Sequence, residues 1–145
     1  MKKTLVIGIG NTIRGDDGAG IRVAERIAAR HPDVDVLCVQ QLSPEHADTI
    51  AQYERLIVVD ASVTADAVRV TPLHAAADAR LPRTHDVTPA GILALTSTLY
   101  AHTPSDVLLV EIPVSSCEFN EDLSPSTAAF AATALGIISR HVTKN

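Results

Sequence analysis

The residues whose types could do chemistry sit where apolar stretches break. Asp16 and Asp17 lie near the end of a glycine-rich segment, Gly8-Ile9-Gly10-Asn11-Thr12-Ile13-Arg14-Gly15-Asp16-Asp17-Gly18-Ala19-Gly20. Asp60 directly follows Leu56-Ile57-Val58-Val59, and His85 lies in the polar run Arg83-Thr84-His85-Asp86. Two carboxylates from distant parts of a chain, once brought together, invite either a cation or shared-proton chemistry. An imidazole added to them makes a borderline-hard donor set with open coordination positions. Such a set suits zinc, nickel, iron or manganese at a site of exchange or reaction rather than a closed structural centre. Asp86 or another carboxylate is placed to orient the second ring nitrogen of His85. The paired histidines four apart that mark a zinc-protease helix are absent, so spacing does not indicate a resident catalytic zinc.

Each residue also has a plainer reading. Asp16 as an N-cap and Asp17 in the first helical turn would both be favoured by the helix dipole. Asp60 could cap the turn formed by Ala61-Ser62-Val63-Thr64. For His85, position alone leaves ligand and surface residue equally open. The other histidines have local readings: His31 at a helix end, His46 and His102 in or beside helices, His74 in a loop and His141 in the tail. Cys117 follows an apolar run and is a candidate thiol nucleophile, but no base or other pKa-lowering neighbour is visible, so a buried structural cysteine is the expected role. No serine stands in a nucleophile-elbow context. The glycines suggest a dinucleotide fingerprint, yet two carboxylates occupy the place where a phosphate would need bare N–H groups and would repel it.

The elements that must position these residues follow from periodicity. Thr4–Ile9, Leu56–Val59 and Val107–Ile112 are continuous apolar runs rich in β-branched residues, as expected of strands buried on both faces. Val34–Val39 is a less uniform fourth strand, and Ala67–Thr71 alternates as a half-exposed edge strand does. Asp17–Arg30 has Val23, Ala24, Ile27 and Ala28 at helical spacing and stops at His31-Pro32. Ser43-Pro44, Thr88-Pro89 and Ser124-Pro125 each place a hydroxyl cap before a proline at a helix start. Ile92, Leu93, Thr96 and Leu99 are expected to face inward on one of these helices, and Ala128, Ala132, Leu135 and Ile138 on the last.

This order predicts an α/β fold, a three-layer α/β/α sandwich around one mostly parallel five-stranded sheet with right-handed crossovers. If strand 1 lies between strands 2 and 3, the connectivity reverses beside it. Ligands then bind outside the carboxyl ends of the strands, between the loops after strands 1 and 3.

The chain's 145 residues, 46% of them hydrophobic, suit one domain over 1–145 with a full core. A formal charge of −5 with scattered cations argues against nucleic-acid binding, and the absence of Trp with only 3% aromatics leaves no stacking platform. Two cysteines, Cys38 and Cys117, are too few for a disulfide framework and point to a reducing, cytoplasmic compartment. The N-terminal apolar run is too short for a signal peptide or a membrane span.

Over nearly its whole length the chain resembles the hydrogenase maturation endopeptidases. The resemblance rests on Val6-Ile7-Gly8-Ile9-Gly10-Asn11 followed by Gly15-Asp16-Asp17-Gly18-Ala19-Gly20, on Val58-Val59-Asp60-Ala61 and on Thr84-His85-Asp86, with further similarity in Glu111-Ile112-Pro113 and Leu123-Ser124-Pro125. It implies an α/β sandwich and an endopeptidase that removes a C-terminal extension from a nickel-iron hydrogenase large-subunit precursor after nickel insertion. It also implies that Asp17, Asp60 and His85 are the metal-contacting residues and share any catalytic role, with nickel supplied by the substrate rather than resident. Gln40 and Gln41 stand where relatives often have acidic or glycine residues, which leaves the particular hydrogenase open. A monomer is the default assembly. The rival reading is a non-proteolytic module that binds a nucleotide or a metal-bearing partner.

Overall fold

The computed structural model describes residues 2–75 and 87–144. Five strands, β1 (Thr4–Ile9), β2 (Asp35–Val39), β3 (Arg55–Ser62), β4 (Arg69–Pro72) and β5 (Asp106–Pro113), form one sheet in the order β2-β1-β3-β5-β4. All neighbours are parallel except β4 against β5. The helices are α1 (Ala19–Arg30), α2 (His46–Ile50), α3 (Pro89–Leu99) and α4 (Pro125–Val142), and a short 3₁₀ turn, Gly15–Gly18, precedes α1.

The continuous apolar runs are explained by layers on both sides of the sheet. Val6, Ile57, Val59, Val110 and Ile112 pack with α1 and α4, whereas Leu5, Ile7, Leu56, Val58 and Val107 pack with α2 and α3. Successive residues of β3 therefore enter opposite cores, and each fully buried side chain there contributes about 1.5–3 kcal/mol of burial. The two edge strands are only partly covered, which is why β2 and β4 show weaker patterns. The expected α/β sandwich is the observed one.

Several local expectations change. Asp16 and Asp17 lie in the 3₁₀ turn, so α1 begins at Ala19 with Gly18 as an N-cap that has no side chain to offer. On α1, Val23, Ala24 and Ile27 are buried but Ala28 is exposed. Leu99, at the last turn of α3, is 59% exposed because the core ends before it. The buried stripe of α4 is Thr127, Ala131, Ala134, Leu135, Ile138 and Val142, with Ala128 and Ala132 exposed. Alanines surround this helix, so composition cannot set its rotation; docking of the larger Leu135 and Ile138 does. His141 belongs to the last turns of α4 rather than to a tail.

The proline-linked caps form at two of the three starts. Thr88 Oγ1 accepts from Gly91 N at 3.0 Å, and Ser124 Oγ accepts from Thr127 N at 3.4 Å. Ser43-Pro44 instead opens a turn, in which His46 Nδ1 accepts from Ser43 N at 2.9 Å, before the five-residue α2 begins at His46.

Candidate active site

β1 lies between β2 and β3, so the chain reverses direction across the sheet beside β1. The loops after β1 and β3 part there and leave the crevice expected of such a switch point. Glycines allow α1 to press against this edge. A Cβ on Gly20 would collide with the Val59 carbonyl, and Gly10, at φ +149°, lies against the Asp17 carbonyl where no side chain fits. The glycines thus serve close helix–strand packing. Their Cβ positions are filled by protein backbone, which leaves no phosphate cradle at this loop.

Asp60 sits within β3, not at its end, since the strand continues through Ala61 to Ser62. Pairing with β1 stops at Gly8 opposite Val59, however, so Asp60 is the first β3 residue beyond β1. The turn that follows is capped by Ser62, whose Oγ accepts from Thr64 N at 3.3 Å and Ala65 N at 3.2 Å. The plainer capping role considered for Asp60 therefore falls to Ser62.

Asp60 is half-buried, and its carboxyl is pushed up to about 6. Burial is the largest cause; the Ala61 N–H partly offsets it, and the negative charges of Asp17 and Glu111 push it further. Asp17 itself is half-buried and accepts from Asn11 N at 2.9 Å. The fold thus brings Asp17 and Asp60 into electrostatic contact from positions far apart in sequence. Glu111 is their missed companion: it is the register partner of Asp60 on β5 and pairs with Arg69 at 3.3 Å. Its signal was the one Asp60 gave, a lone carboxylate near the carboxyl end of an apolar strand.

His85 and Asp86 lie outside the described residues. Among the described histidines, His102 Nε2 donates to the Tyr53 carbonyl at 2.8 Å, and His141 Nε2 meets Asp106 at 3.0 Å. His31 ends α1, and His74 is exposed after β4. Among the described residues no group of three or more His, Cys, Asp and Glu side chains is arranged to hold a metal ion. Asp17 and Asp60 supply hard oxygen donors, and the raised Asp60 carboxyl marks uncompensated negative charge that an arriving cation would relieve. This pair suits reception of a cation or acceptance of a proton near neutral pH.

Asp16 has a different role from the cap considered for it. It is 1% exposed and ties the loop after β1 to the segment between β5 and α4. Its carboxylate accepts from the backbone N–H groups of Ser115 and Ser116 at 2.9 Å and of Ser124 at 2.6 Å. The hydroxyls of Ser124 and Thr127 add bonds of 2.8 and 2.9 Å. Burial alone would raise this carboxyl, but the Ser124, Ser115 and Ser116 N–H groups outweigh it and hold it well below the usual range. The sequence signal for this cradle was the serine-rich stretch from Ser115 to Ser126 in a chain with one otherwise unpaired Asp-Asp step.

Cys117 lies in this same stretch and is partly exposed rather than buried. Among the described residues no histidine hydrogen-bonds it. Nothing there supports a thiol nucleophile.

No family model matches the chain, and no curated protein matches it in sequence. Solved structures do match in fold. The hydrogenase maturating endopeptidase HybD from E. coli superposes with a TM-score of 0.75 at 22% identity, covering 97% of this chain and 91% of that one. The [NiFe] hydrogenase maturation protease HycI from Thermococcus kodakarensis KOD1 gives 0.72 at 22% identity, with 99% and 94% covered. The HybD protease from Thermococcus kodakarensis gives 0.70 at 19% identity, with 96% and 98% covered. The chain shares the fold of these endopeptidases from end to end.

Proposed function

We propose that this chain is a processing endopeptidase that removes the C-terminal extension of a nickel-iron hydrogenase large-subunit precursor once nickel is in place. The observation that carries the proposal is the Asp17–Asp60 pair, held half-buried at the switch point of a fold shared with hydrogenase maturation endopeptidases. The motif resemblance supports it, with Val58-Val59-Asp60-Ala61 and Gly15-Asp16-Asp17-Gly18 placed on adjoining loops and strands.

Asp17 and Asp60, with His85, are the residues that would contact nickel already bound in the precursor. Two carboxylates whose mutual repulsion is unrelieved bind a cation-bearing substrate better than a cation-free one, so metal loading would be read as affinity. Docking at this point would place the scissile bond beside the pair. Asp60, with its carboxyl raised to about 6, is suited to take a proton from an attacking water near neutral pH. Metal contact and proton transfer fall on the same residues, and their roles are not separated here.

The test is mass spectrometry of nickel-loaded and nickel-free precursor after incubation with the protein. Trimming of the loaded form alone is the expected result. Equal trimming of both would overturn metal reading, and no trimming of either would overturn the peptidase. Asp17→Ala, Asp60→Ala and His85→Ala should each abolish trimming, and a variant that retains it removes that residue from the site.

A further inference from the structure

Six large hydrophobic side chains are exposed among the described residues, and three of them occupy loops at the carboxyl edge of the sheet. Ile13, in the loop after β1, is 45% exposed; Val63, after β3, is 83% exposed; Phe119, after β5, is 84% exposed. Single exposed hydrophobics are ordinary on a protein surface. These three differ in being carried by the separate loops that flank Asp17 and Asp60, and in being held firmly.

The bracing is specific. Asn120 N donates to the Ile13 carbonyl at 3.0 Å and Gly15 N donates to the Asn120 carbonyl at 2.6 Å, so the Ile13 and Phe119 loops form one unit. Asp16 N donates to the Ser116 carbonyl at 2.9 Å, and the Asp16 carboxylate gathers Ser115, Ser116 and Ser124 from the other side. Gly15, at φ +56°, faces the Ser116 and Glu118 carbonyls closely enough that a Cβ there would crowd them. Ile13 N donates to Asn11 Oδ1, and Asn11 N donates to Asp17 Oδ2, which links the rim directly to the candidate site. On the third loop, the Ser62 hydroxyl caps the turn that presents Val63, three residues after Asp60. A chain with only two phenylalanines thus places one, Phe119, almost fully in solvent on a rigid mount. A fixed aromatic loses little conformational freedom on contact and is suited to anchor a partner.

We infer that Ile13, Val63 and Phe119 form a preorganised apolar rim that grips hydrophobic side chains of the polypeptide substrate beside the Asp17–Asp60 pair. The inference rests on the proposed peptidase function. The carboxylates alone would attract any cation; an apolar rim at their border adds recognition of the protein that carries it. Hydrophobic contact next to the scissile segment acts on binding rather than on the chemical step.

The test compares processing of nickel-loaded precursor by wild type, Phe119→Ala, Phe119→Leu, Ile13→Ala, Val63→Ala and Leu99→Ala. Phe119→Ala should raise KM roughly tenfold with kcat little changed, and Phe119→Leu should recover most of the loss. Ile13→Ala and Val63→Ala should each raise KM by about threefold, in proportion to the smaller surface removed. Leu99→Ala, equally apolar but at the end of α3, should process as wild type does. All the replaced side chains are exposed, so thermal midpoints should stay together and separate lost binding from lost folding. Wild-type cleavage with an unchanged KM in Phe119→Ala overturns the rim while leaving the peptidase reading intact. An equal loss in Leu99→Ala overturns it too, by showing a general surface effect. Absence of wild-type cleavage overturns both.

Discussion

Asp16 and Asp17 are adjacent and chemically identical, yet their carboxylates occupy opposite environments. Asp16 points into a cradle of N–H and O–H donors, where its charge is wanted and its carboxyl is held low against the opposing effect of burial. Asp17 points to the other side of the same turn, where it meets Asp60 and raises that residue's carboxyl. The first arrangement lowers the energy of the fold. The second raises it and leaves negative charge available at the switch point. A third carboxylate, Asp106, shows what compensation at a sheet edge looks like. Burial alone would raise it, but Arg55 at 2.8 Å and His141 at 3.0 Å bring it below its ordinary value. Asp60 has no such cation among the described residues, and Arg69 is engaged with Glu111. Unbalanced charge at the carboxyl edge and balanced charge at the amino edge is the pattern expected when one edge binds and the other only holds.

The largest effect should come from breaking the cradle. Asp16→Ala leaves several buried donors without an acceptor, at a cost of about 3–5 kcal/mol, visible as a lower midpoint in urea unfolding at pH 7. Because the Asp16 carboxyl is lowered on folding, its contribution is present above the ordinary value of 3.8 and is lost as pH falls below that through the folded value. The gap between wild type and Asp16→Asn should therefore narrow in acid. A gap that is constant with pH would mean that the charge of Asp16 is not what the donors recognise.

Asp60→Asn should separate function from stability. Processing should fall by about 10²–10⁴-fold if Asp60 transfers a proton. Stability should move the other way. With the folded carboxyl at about 6 and the unfolded one at 3.8, the folded protein holds the extra proton between those values, so wild-type stability declines as pH rises through that window. Asp60→Asn removes the penalty, and after allowance for solvent screening its gain at pH 8 should be about 1 kcal/mol, vanishing near pH 4. Thermal melts at the two pH values check this, and a variant less stable than wild type at pH 8 would contradict the repulsion.

Ser124→Ala tests whether the cradle and the α4 cap are one device. It removes the hydroxyl that both accepts from Thr127 N and donates to Asp16, and should cost about 1–2 kcal/mol. In the Asp16→Asn background the cost should be smaller, which a double-mutant cycle measures. The smallest effects belong to the neighbours of Asp60. Asp17→Asn should lower the Asp60 carboxyl more than Glu111→Gln does, following the order of their contributions, as read by carbon-13 titration.

Much of this organisation was legible in the residues. The central strands were readable because burial on both faces requires unbroken apolar runs, and β1 fell at Thr4–Ile9 as expected. The Thr88-Pro89 and Ser124-Pro125 starts were readable because a capping hydroxyl and a fixed proline φ act locally. The rotation of α4 was not readable, because alanine marks neither face. The length of β3 was misjudged because Asp60 resembles a stop, whereas pairing with β5 carries the strand through Ser62. Asp16 was read as a cap for its own helix; its donors lie about a hundred residues away, and no local pattern announces them.

The sequence by itself determined the layers, the strand–helix order and the nomination of Asp17 and Asp60, since periodicity, capping and a charge at the end of an apolar run are short-range properties. Only the tertiary structure decided which of two adjacent aspartates braces the fold and which faces the crevice. It also decided that Glu111 joins Asp60 and that Phe119 stands beside them, because these depend on which loops the sheet order brings to one edge.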